Sequence, residues 1–160
     1  MDSDFIARFN GLTEDVARIL IWHEMGEAHE DESDEEWLSL LQEVDDKTTE
    51  LYLRGIKDVI ADTSEHGTLK GIVSRTEEGL LYFFAALMDN IRKLIYPDFQ
   101  HALRGFEEIG EWGILEQVRR SGYEEARKLR AEFIEIRRKS EDIQEVVRAA
   151  RDRMNPRKRP

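Results

Sequence analysis

The chain contains no cysteine, which removes disulfides, thiolate metal sites and a cysteine nucleophile from consideration. Proline is nearly as scarce. It occurs at 97, 156 and 160, so only Pro97 interrupts helix formation before the end. Long apolar runs are missing too: the longest, Leu80 to Met88 (LLYFFAALM), falls well short of the roughly 20 residues a bilayer-spanning helix needs. That run reads instead as a helix buried over most of its circumference. No basic stretch precedes an apolar one at the start, which reads Met-Asp-Ser-Asp, so no secretory signal is expected and the expected location is cytoplasmic. Gly67, Gly71 and Gly79 do not make a phosphate-cradling loop, and Ser74, Ser121 and Ser140 lack a nucleophile-elbow context.

Charge is abundant. Charged residues make up 37% of the 160 and the net charge is −11, unevenly distributed. Residues 1–118 hold 27 acids against 10 Lys/Arg, whereas residues 119–160 hold 14 Lys/Arg against 8 acids. An acidic body speaks against nucleic-acid binding, which draws its affinity from neutralising phosphates. The acidic front and basic end suit a homo-oligomer or a protein partner, since opposite patches steer association.

Apolar residues recur at three- and four-residue spacing through nearly every segment, the period of an amphipathic helix. Asp4 to Phe9 reads as a short helix stopped by Asn10-Gly11, with Thr13 capping the next. Ser33 with Glu36, and Ser121 with Glu124, have capping-box spacing. Trp37 to about Ala61 reads as one helix that Gly55 kinks, and Leu69 to Tyr96 as another that Pro97 stops. The predicted fold is all-α: a single-domain multi-helical bundle of five to seven helices over residues 1–160. Residues 123–154 form a long C-terminal helix and 155–160 a basic tail.

Chemistry concentrates in residues 11–33, GLTEDVARILIWHEMGEAHEDES. His23 and Glu27 are four apart and share a helix face. An imidazole and a carboxylate so placed can hold a divalent ion, whose field lowers the pKa of a bound water. His23 and His29 are six apart, so this is not the zinc helix, which needs four.

This segment resembles the central motif of the HD-domain metal-dependent phosphohydrolases. There a helix with an Ala-Arg-aliphatic lead-in ends in His-Asp-x-x-Glu. Here Val16-Ala17-Arg18 leads into His23, Glu24 and Glu27, and a looser likeness covers residues 73–96. The resemblance implies an HD-like helical fold, metal roles for His23, Glu24 and Glu77, and a water-activating role for the catalytic candidate Glu27. Glutamates at 24 and 77 stand where the family has aspartates, and no histidine precedes His23. The implied site is therefore weakened or inactive. Manganese or magnesium is the implied cofactor, because one imidazole with carboxylates is oxygen-rich ligation. The implied substrate is a nucleotide or another phosphate ester. The alternative is a non-catalytic helical module that oligomerises or binds another protein.

Overall fold

The computed structural model describes residues 3–31, 35–140 and 142–155, and among these no strand occurs. The helices are α1 (Ser3–Asp31), α2 (Glu35–Glu43), α3 (Lys47–Thr63), α4 (Thr68–Arg75) and α5 (Glu78–Leu87). They continue with α6 (Asn90–Ile95), α7 (Pro97–Ile109), α8 (Trp112–Lys139) and α9 (Ile143–Met154). The all-α class is as the periodicity predicts, but nine helices are described rather than five to seven.

The extra helices come from side-chain caps that hydrophobic periodicity does not register. Asp46 accepts from the Thr49 backbone N–H at 2.9 Å and separates α2 from α3. Asp89 does the same for α6 through Arg92, at 2.8 Å. Asp142 starts α9 by accepting from Gln144, at 2.9 Å, which divides the predicted 123–154 helix. Each such cap satisfies an orphan donor of the helix start. Thr76, with φ 52, ends α4 in the left-handed region.

Two predicted boundaries are absent. α1 runs straight through Asn10-Gly11, where Thr13 Oγ1 donates back to the Phe9 carbonyl at 2.9 Å instead of capping. Ser121 and Glu124 lie inside α8. Ser33 and the tail residues 156–160 lie outside the described residues. Pro97 does begin α7 and Gly110, at φ 76, does end it.

α3 is the central helix, packed by α1, α2, α4, α6, α8 and α9. Leu53, Ile56, Val59 and Ile60 on α3 are fully buried, and Tyr52 meets Phe133 of α8 edge-on at 6.1 Å. Gly55 does not kink α3; it makes room for Ile91 and Ile95 of α6. The basic end of the chain folds back on the acidic front. Arg137 pairs with Glu43 at 2.7 Å, Arg138 with Glu36 at 2.5 Å and Arg151 with Asp46 at 2.6 Å. The charge asymmetry of the sequence thus closes in part within one chain. No helix among the described residues is long and apolar enough to cross a membrane.

Candidate metal centre between α1 and α3

α1 reaches α3 most closely at Gly26, where any Cβ would run into the Ala61 backbone carbonyl. A glycine facing an alanine lets two helix backbones approach, so polar side chains one turn away on each helix meet. His23 and Glu27 flank Gly26 on α1, and Asp58 and Asp62 flank Ala61 on α3. The cluster is a consequence of that crossing.

His23 lies between two carboxylates. Its Nδ1 is 2.9 Å from Asp62 Oδ1 and its Nε2 is 3.3 Å from Glu27 Oε1. Asp62 is 4% exposed but fully engaged: it also accepts from Thr68 Oγ1 at 2.9 Å and from Arg92 at 3.0 Å. Lys57 Nζ donates to Glu27 Oε2 at 2.9 Å. The hydrogen bond to Asp62, then that to Glu27, pushes the imidazole up to about 10 against its desolvation. The hydrogen bond from His23, followed by that from Lys57, holds Glu27 down to about 2.

Asp58 completes the group. One ligand atom each from His23, Glu27 and Asp58 lies within 4.8 Å of the others. Among the described residues Asp58 makes no hydrogen bond, and burial pushes its carboxyl above the ordinary range, opposed by the charges of His23 and Arg92. The three residues are only partly buried, so an ion has a path in from solvent.

Of the residues singled out from sequence, His23 and Glu27 are brought together. Glu24 points outward and is exposed. Glu77, at the N-terminus of α5, is gripped by Arg18 Nη1 at 2.7 and 2.8 Å, and it does not join the group around His23. His29 stacks on His66, ring centroids 3.7 Å apart, on the exposed end of α1. The sequence reading missed Asp58 and Asp62. Their signal was two acids at four-residue spacing in a helix whose neighbours Val59, Ile60 and Ala61 are apolar. An acid embedded in a buried stripe is rare without a partner.

Residues 1–157 match a family described as a family of unknown function (DUF6866), C-terminal domain. No curated protein matches the chain, and no solved structure does.

Proposed function

We propose, for a chain that belongs to the DUF6866 C-terminal domain family, a divalent-cation site at His23, Glu27 and Asp58 that serves hydrolysis of a phosphate ester. This is the chemistry of a divergent HD-type phosphohydrolase acting on a nucleotide or another phosphate ester. Its ligand set moves from Glu24 and Glu77 to Glu27 and Asp58. The convergence of an imidazole and two carboxylates from two helices, within 4.8 Å, carries the reading.

Each residue has a role that its contacts support. Asp62 fixes the His23 ring through Nδ1, the outer-shell arrangement that aims Nε2, and an ion would replace the proton that Nε2 shares with Glu27, releasing it to solvent. One imidazole with two carboxylates suits manganese or magnesium better than zinc. A bound ion would lower the pKa of a coordinated water and polarise a phosphoryl oxygen. Asp58, which faces the charges of His23 and Arg92 but has no hydrogen bond to a described residue, keeps a carboxylate oxygen that could accept a proton from that water. Arg92 and Lys57, at the rim of the cluster, supply positive charge for the phosphate.

The test is titration calorimetry with manganese, alongside turnover of nucleoside monophosphates and a generic phosphate ester. Wild type should bind one ion. Asp58→Asn and His23→Ala should each lose binding and turnover together. Manganese affinity unchanged in Asp58→Asn would sink the site. A second reading, a non-catalytic oligomerisation or interaction module, is favoured by a different feature: the exposed apolar side chains at the start of α1.

A further inference from the structure

The first third of α1 carries an apolar stripe that the described residues leave exposed. Phe5, Ile6, Phe9 and Leu12 are 59%, 42%, 59% and 50% exposed, and Phe5 stacks on Phe9 at 6.3 Å. Gly11, within this arm, faces open space. Carrying a helix through glycine costs about 1 kcal/mol relative to alanine, and nothing among the described residues packs against Gly11 to offset it. A helix that ignores its own stop signal and presents four large apolar side chains is one that packs on something.

A receiving surface exists on the same molecule. α6, α8 and α9 leave a groove of about 820 Å³ with a floor of Tyr52, Leu94, Ile95, Leu129, Ile136 and Ala149. Its walls follow α8 from Glu125 to Ile136, about 16 Å of helix, against about 10 Å from Phe5 to Leu12. α1 lies on α3 and α4 and does not line this groove, so a chain's own arm leaves it open.

We propose that two copies associate by arm exchange, each seating Phe5, Ile6, Phe9 and Leu12 in the α6–α8–α9 groove of the other. Electrostatics selects this pairing. Two chains of net charge −11 repel across most faces, but the arm carries one acid and one base, Asp4 and Arg8. The groove rim carries Glu125, Glu132 and Asp152 against Lys128 and Arg153, also near neutrality. Size agrees as well. With on the order of 100 Å² still exposed per arm side chain and a smaller area in the groove, two reciprocal seatings bury on the order of 1,200 Å², the lower end of stable interfaces. The proposal is independent of the carboxylate cluster, whose residues lie on α3 and, as His23 and Glu27, on the other half of α1.

Because the chain has no cysteine, crosslinking reports the contact directly. Phe9→Cys and Leu129→Cys proteins, mixed and oxidised, should give a disulfide-linked dimer that neither gives alone. Sedimentation should show wild type as a dimer at micromolar concentration. Phe5→Ser/Phe9→Ser should weaken it at least about 100-fold, since two buried aromatic anchors are lost. Circular dichroism should show that variant still helical, since those side chains touch no core. Two results overturn the proposal: a monomeric wild type, or self-crosslinking of Phe9→Cys as efficient as the mixed pair, which would mean that arm meets arm.

Discussion

Arg119 and His23 each sit between two carboxylates at the edge of the core, and the difference between them separates a brace from a site. Arg119 is 1% exposed, and every guanidinium nitrogen has a partner. Nε donates to Glu116 at 2.8 Å, Nη2 to Glu65 at 2.6 Å and to Glu116 at 2.9 Å, and Nη1 to the Thr63 carbonyl. It ties α8 to the end of α3 and leaves no polar atom of its own open. The α1–α3 cluster has the same charge types, yet Asp58 has no hydrogen bond to any described residue there, only the nearby charges of His23 and Arg92. Buried polar groups are normally satisfied. A closed network therefore reads as structure, and an open carboxylate within a closed network reads as a place kept for something else.

Breaking the brace should have the largest effect. Arg119→Met would leave the Thr63 carbonyl without its donor and would leave Glu116 and Glu65 only the outer cations, Arg120 and Lys70. Losing the charged hydrogen bonds of a buried guanidinium together should cost on the order of 3 kcal/mol. Urea unfolding would measure it. A loss below about 1 kcal/mol would mean that Arg119 is not the brace its contacts describe.

The crossing that makes the site is the next target. Gly26→Ala would drive a methyl into the Ala61 carbonyl and push α1 off α3, at a cost of about 1–3 kcal/mol. Gly11→Ala, on the same helix but in open space, should instead stabilise by up to about 1 kcal/mol. Opposite signs from one substitution type at two positions of α1 would show that Gly26 is kept for closeness. If both changes stabilise, the crossing has slack and the cluster does not depend on it.

These two glycines also mark what the sequence could and could not say. Periodicity made the all-α class legible, because 3.6-residue spacing is a property of neighbours along the chain. Boundaries were less legible: a lone aspartate such as Asp46, Asp89 or Asp142 caps a helix only if the chain turns there. His23 and Glu27 were legible because they lie on one helix, four residues apart. Asp58 and Asp62 are 31 residues or more from Glu27, and only the approach at Gly26 and Ala61 joins them. Glu24 and Glu77 came from a motif analogy, and neither is part of the group around His23. Glu24 faces away from α3, and Arg18 holds Glu77.

Acid should separate the clusters further. The hydrogen bond from Arg119, then that from Arg120, holds Glu116 down to about 2, below its usual 4.5. A depressed carboxyl contributes stability that is fully present above the unfolded value and is lost as the folded group protonates. The loss attributable to Glu116 should therefore fall between about pH 4.5 and 2, on the order of 1–2 kcal/mol. Glu116→Gln should already lack that contribution at neutral pH and show a flatter acid limb in urea unfolding. An acid limb of unchanged steepness would show that the Arg119 brace does not depend on this carboxylate's charge.

The smallest effect should be the most informative about function, because its sign is reversed. Asp58 has burial against it and no hydrogen bond for it, so its charge is a cost to the metal-free fold. Asp58→Asn keeps the shape and removes the charge, so without metal it should stabilise by on the order of 1 kcal/mol. Adding manganese should then reverse the order. Wild type gains stability by mass action on a site that only the folded state presents, whereas Asp58→Asn gains little. Thermal unfolding of both proteins, with and without the ion, gives the four numbers needed. A destabilised Asp58→Asn without metal would make Asp58 an ordinary structural acid like Glu116, and the distinction between open and closed clusters would fail. A crossover of the two proteins on adding manganese is the outcome that a purely structural cluster cannot produce, since it requires that Asp58 be a liability until an ion arrives.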